Sequence, residues 1–129
     1  MRSLLGAIFL AVLTIRAAAA DMPVPVSGKA FAEPDGTFRI EVAVRHADTG
    51  WEHFADRWDV LAPDGKVLGT RVLLHPHETE QPFTRDPDGM RVPPGIRSVV
   101  IRVHDKVHGW GPKTIRLDLR GRCPGTCVT

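Results

Sequence analysis

At 129 residues, with 17 Lys+Arg against 15 Asp+Glu and 43% hydrophobic residues, the chain has the length and balance of one globular domain. A formal charge of +2 without a basic block argues against nucleic acid or an anionic membrane surface as its partner. No stretch beyond the first twenty residues has the 3.6-residue apolar period of a helix, and there is no internal repeat or low-complexity tract.

Residues 1–20 read as a unit of their own. Arg2 supplies a positive start, Leu4 to Ile15 is an apolar run, and Ala17 to Ala20 are small residues ahead of Asp21. This is the layout of a secretory signal peptide cut after Ala20. The run is too short to span a bilayer and no second one follows, so the mature chain is expected not to insert in a membrane. No cysteine close behind the run offers a lipid anchor. Cleavage would remove Arg2 and Arg16 and leave 15 basic against 15 acidic residues in a neutral periplasmic or secreted chain.

Residues 21–120 alternate short Val-, Ile-, Leu- and Phe-rich segments with turn signals, the pattern of an all-β sandwich. Val26 to Ala32 is a first strand, ended by Glu33-Pro34-Asp35-Gly36. Thr37 to His46 is the clearest, with Phe38, Ile40, Val42 and Val44 on one face and Arg39, Glu41 and Arg45 on the other. After a polar loop, Asp56 to Ala62 places Trp58, Val60 and Ala62 inward and Arg57 and Asp59 outward. Pro63-Asp64-Gly65-Lys66 is a tight turn, and Val67 to His75 returns as the next strand. Pro76 to Pro94 holds one interrupted strand, with Asp86-Pro87-Asp88-Gly89 as a bulge or a turn. Ile96 to Asp105 directs Val99, Ile101 and Val103 inward. Lys106 to Pro112 is a Gly-rich loop, and Lys113 to Leu119 directs Ile115, Leu117 and Leu119 inward.

Seven antiparallel strands with Trp58 in the third resemble an immunoglobulin-like or fibronectin type III-like sandwich, although the inter-sheet cysteine pair of antibody domains is absent. The string from Gly50-Trp51-Glu52-His53 through His75-Pro76-His77 to Gln81-Pro82-Phe83-Thr84-Arg85 is similar to small uncharacterised secreted proteins of bacteria. That resemblance implies no particular activity or ligand.

All six histidines fall at strand ends or in loops: His46 and His53, His75 and His77, His104 and His108. If the chain around Asp86–Gly89 continues as one strand, these three pairs meet at one pole. If it turns back there, His104 and His108 go to the opposite pole. Three or four neutral imidazoles suffice to hold Cu(II) or Zn(II). His75 and His77 are well placed, because i, i+2 spacing in extended chain puts both rings on one side and Pro76 keeps that backbone extended. The expected ligands are His53, His75, His77 and His108, with His46 and His104 behind them. Glu52, Glu78, Glu80, Asp48 and Asp105 are nearby carboxylates able to ligate or to orient a ring. Strand parity opposes a centre of all six, since His46 continues an inward face while His75 and His104 continue outward ones. The alternative is that these histidines are hydrogen-bonded strand caps.

Cys123 and Cys127 lie in the tail, residues 121–129, and in an oxidising compartment form a small disulfide loop around Pro124-Gly125-Thr126. Trp51 and Trp110 fall in loops assigned to the histidine pole, where exposed rings can anchor a protein of the cell envelope or simply lid the core. The catalytic inventory is poor: Ser27 and Ser98, the two serines beyond the leader, lack a nucleophile-elbow context, and no Gly-rich loop precedes a helix. The residues therefore point away from an enzyme, and towards a metal-binding domain or an interaction module. Mass spectrometry of the exported protein is expected to find a chain beginning at Asp21; a species retaining Leu4 to Ile15 would overturn the leader reading.

Overall fold

A computed structural model describes residues 21–85 and 91–119 and the backbone of residues 126–128. The alternation read from the sequence becomes strands β1 (Val24–Ala32), β2 (Phe38–Arg45), β3 (Ala55–Leu61), β4 (Val67–Val72), β5 (Phe83–Arg85), β6 (Ser98–Asp105) and β7 (Gly109–Asp118). These seven lie in two antiparallel sheets, β5-β2-β1 and β4-β3-β6-β7. The short β8 (Thr126–Val128), within the stretch expected to be a tail, adds to the free edge of β1 through Ala30 opposite Cys127. The described residues include no helix, and so none long and apolar enough to cross a membrane. The leader, the Asp86–Gly89 turn signal and the Cys123–Cys127 disulfide lie outside what is described.

The two sheets bury one shared cluster. Ala30, Ile40, Val42, Val44 and Phe83 from one sheet meet Trp58, Val60, Val99, Ile101, Val103 and Leu117 from the other, and Phe38 and Ile115 pack at its margin. Trp58 is the largest of these side chains and is wholly inaccessible. Its register opposite Val103 fixes which residues of β3 and β6 face inward, since a slip by one would turn both apolar sets to solvent.

Among the boundaries that differ from expectation, two bear on the histidine pole. The fourth strand ends at Val72, so His75 lies beyond it, in the loop with His77. The Gly-rich loop from Lys106 to Pro112 is shorter than read, because Asp105 pairs with Gly109 and His104 with Trp110. Gly109, at φ 80°, supplies the left-handed residue that lets the chain reverse there, and the Asp105 carboxylate accepts the backbone N–H groups of Val107 and His108 inside the turn. Trp110 is therefore a strand residue. Pro112 is tolerated because β7 is an edge strand.

The direction left open by the sequence is settled by register. Val44 pairs with Phe83 and Val42 with Arg85, and beyond the break Phe38 still bridges Val92 in the same antiparallel sense. The described residues on either side of the break thus pair with β2 in the same sense before β6 climbs back, and Asp105 ends at the pole that carries His46. Removing the Trp58 ring leaves a cavity at the centre of this core. Trp58→Ala is expected to lose about 3–5 kcal/mol of unfolding free energy in a denaturant titration, and a loss near zero would refute the β3 register.

Candidate metal centre

The inward stripe of β2 runs Ile40, Val42, Val44 and ends, two residues on, at His46. The apolar core therefore terminates in an imidazole, 1% exposed, that must find polar partners without water. Two carboxylates supply them. His46 Nδ1 donates to Asp48 Oδ1 at 2.6 Å. His46 Nε2 lies 3.2 Å from Asp105 Oδ2 and 3.1 Å from the Asp21 carbonyl oxygen. Among the described residues, the polar partners of its two nitrogens are all oxygen acceptors. The ring satisfies all of them only as a double donor, or with a cation in place of the Nε2 proton.

Asp105 is the hub. The backbone N–H groups of Val107, at 2.8 Å, and of His108 donate to its Oδ1. Its Oδ2 meets His108 Nδ1 at 2.9 Å, His46 Nε2 at 3.2 Å and His53 Nε2 at 3.4 Å. Burial opposes ionisation of Asp105, but the His108 backbone N–H and ring, the Val107 N–H and the His53 ring outweigh it and hold the pKa at about 2. One donor atom each from His46, His53 and Asp105 fall within 4.8 Å of one another. An ion with bonds near 2.0–2.1 Å in tetrahedral geometry separates its ligands by about 3.3 Å, which is close to the 3.2 and 3.4 Å between the Asp105 oxygen and the two histidine nitrogens. Small ligand shifts would admit such an ion. His108 packs edge-on against His53 at 4.9 Å and reaches the same oxygen, a position from which its N–H orients the carboxylate.

Asp48, also buried, joins this triad to the second histidine pair. It accepts the Ala55 N–H at Oδ1 and the His77 N–H at Oδ2, at 3.0 and 2.6 Å. Gln81 ties the same two histidines again: its carbonyl accepts the His46 N–H and its amide donates to the His77 carbonyl. His75 and His77 do share one side, with ring centroids 4.6 Å apart, and His77 stacks on Phe83 at 3.8 Å. Both ring nitrogens of His77 are buried without a hydrogen-bond partner. Burial, then Arg85 and His75, lower its pKa against the pull of Asp48 and Glu80. His75 Nδ1 donates to the Pro76 carbonyl at 3.1 Å.

Five of the six histidines thus gather in one hydrogen-bonded and ring-packed set, and His104 stands apart. It lies on the outer face of β6, opposite Arg57, where Nδ1 donates to Asp56 at 2.6 Å and Nε2 accepts from Arg57 at 3.2 Å. Both its nitrogens are used. Trp110 packs edge-on against it, between the guanidiniums of Arg102 at 3.8 Å and Arg57 at 5.4 Å, so it is half-buried and not an exposed loop anchor. Trp51 does stand in a loop, 63% exposed, with its carbonyl held by Lys106. Glu80 is engaged with Arg85. Sequence reasoning ranked His46 behind the others and did not find Gln81 or Asp21. The signal for His46 was its place at the end of an inward apolar stripe; nothing in the sequence marks the other two.

No protein-family model matches the chain, and no solved structure matches it. A protein of Halomicrobium mukohataei named "Putative lipoprotein" is 43% identical over 79 residues. The match covers 61% of this chain and 38% of that protein, so the chain spans well under half of its relative's length.

The depressed pKa of Asp105 has a consequence in metal-free protein. Folded, it titrates near 2 against an ordinary 3.8, so its stabilisation is complete above about pH 4 and is lost as the pH falls towards 2. Asp105→Asn is expected to cost about 2 kcal/mol at neutral pH. That deficit should shrink steadily below pH 4 in parallel urea titrations; a deficit that stays constant down to pH 2 would refute the assignment.

Proposed function

We propose that the protein is a small domain of the cell envelope or of the secreted space that holds a divalent transition metal, Cu(II) or Zn(II), at its histidine pole. The observation that carries this reading is the buried His46 ring, with acceptors at both nitrogens and a second imidazole and a carboxylate gathered at Nε2. His46 and His53 would supply nitrogen, and Asp105 oxygen. The Asp48 carboxylate on Nδ1 is the outer partner that fixes a ligating tautomer. Two imidazoles and a carboxylate suit Cu(II) or Zn(II) better than the softer Cu(I). His77, with two buried nitrogens that lack a hydrogen-bond partner, and the exposed His75 beside it offer a second pair of donors.

The name of the Halomicrobium relative supports an envelope or secreted location, as does the leader read at residues 1–20. The strand order, β5-β2-β1 facing β4-β3-β6-β7, supports a fibronectin type III-like form of the sandwich, with the fourth strand on the β3 side. A second reading, an interaction module for an envelope protein, draws on Trp51, Leu74 and Val107, which are 63, 74 and 59% exposed in the loops of the same pole.

A metal that binds only the folded state at a hundredfold excess over its Kd stabilises by about 2.7 kcal/mol. For a domain of this size that raises the Tm by roughly 10 °C. Cu(II) or Zn(II) is expected to produce such a shift, acidification to weaken it as protons compete for the imidazoles, and His46→Ala with His53→Ala to abolish it. Unchanged melting of the wild type in both metals would refute the metal reading and leave the interaction module.

A further inference from the structure

The candidate centre has three side-chain donors, and the fourth position faces residue Asp21. The Asp21 carbonyl oxygen lies 3.1 Å from His46 Nε2 and its carboxylate 3.6 Å from the same atom. That carboxylate also accepts the Ala47 N–H at 2.9 Å, which fixes the residue over the ring. The segment behind it is equally constrained. Pro23 is buried and its carbonyl runs so close to β7 that a Cβ on Gly111 would meet it at 2.3 Å. Independently, the alanine run ahead of Asp21 makes the Ala20–Asp21 bond the natural site of leader cleavage.

We infer that removal of the leader completes the metal centre: the α-amino group released on Asp21 becomes a ligand beside His46, His53 and Asp105. This rests on the metal reading given above and specifies the fourth donor. Covalent geometry carries the inference, since the α-nitrogen is no more than about 3.6 Å from its own carbonyl oxygen, and that oxygen already touches His46 Nε2. An amine and the carbonyl of one residue close a five-membered chelate around one ion. A free amine, once deprotonated, has a lone pair to give; that of the amide nitrogen in the uncut precursor is tied up in resonance with the carbonyl. The set of two imidazoles, one amine and one carboxylate is rich in nitrogen, which ranks Cu(II) above Zn(II). Metal loading then follows export, because the precursor lacks the amine.

The test compares two full-length mature forms, one beginning at Asp21 and one at Ala19, with His46→Ala in each, using Cu(II) ions alone. The form beginning at Asp21 should bind Cu(II) more tightly than the extended form, by at least the roughly tenfold that even an outer contact to a metal site is worth. Electron paramagnetic resonance should show one nitrogen fewer on Cu(II) in the extended form, a change that crowding alone would not produce, while both forms melt alike without metal. Equal affinity and identical spectra in the two forms, with binding lost in His46→Ala, would overturn the amine ligand and leave the metal centre standing. Absence of Cu(II) binding in both forms would overturn both.

Discussion

Two carboxylates taken out of water organise the loop end of this molecule. A buried carboxylate is costly unless donors surround it, and Asp48 and Asp105 collect theirs from chain segments that are distant in sequence. Asp48 takes the His46 ring and the Ala55 and His77 N–H groups. Asp105 takes two N–H groups of its own turn and meets three imidazoles. Loops that would otherwise be joined only through the strands below them are thereby fastened to one another. His46 is the shared element, with one nitrogen on each carboxylate.

The sheets make this meeting possible. β2 and β6 belong to opposite sheets, and both deliver their C-terminal ends to the same pole. The last inward position of the β2 stripe, His46, and the last residue of β6, Asp105, therefore face each other across the top of the core. Apolar packing sets the height of that encounter. Trp58, Val99, Ile101 and Val103 fill the layer beneath it, so a shift in the β3–β6 register would carry Asp105 away from His46.

Strand positions and the inward faces were legible because a period of two leaves a plain record in Phe38, Ile40, Val42 and Val44 or in Val99, Ile101 and Val103. The gathering of histidines at one pole was legible only in part. It depended on the direction of the chain after Arg85, which no local pattern decides and which the pairing of Phe38 with Val92 shows. Which histidines meet Asp105 was legible only through parity, which put His46 on an inward face and His104 on an outward one. Spacing favoured His75 and His77, yet Asp48 stands between them and His46 with its oxygens engaged, so the pair lies beside the triangle and not in it. Strand parity set His104 behind His108 and on an outward face, and there Asp56 and Arg57 use both its nitrogens. Trp110 was read as a loop residue because two glycines flank it; cross-strand pairing with His104 overrode that composition.

The metal-free geometry bears on how an ion would enter. In it, the Asp105 carboxylate and the Asp21 carbonyl flank His46 Nε2, and the ligand atoms already stand within 4.8 Å of one another. A divalent ion seated there would keep the ring between the same two carboxylates. Little ordering entropy is then left to lose on binding, because Asp48, Gln81 and the Asp105 turn hold the donors beforehand. The N-terminal segment is the exception. Its side chain at Asp21 is 44% exposed, and its carbonyl oxygen lies 3.1 Å from His46 Nε2. Asp21 is held there by the Ala47 N–H on its carboxylate, by the His46 ring against its carbonyl and by the seat of Pro23 against Gly111.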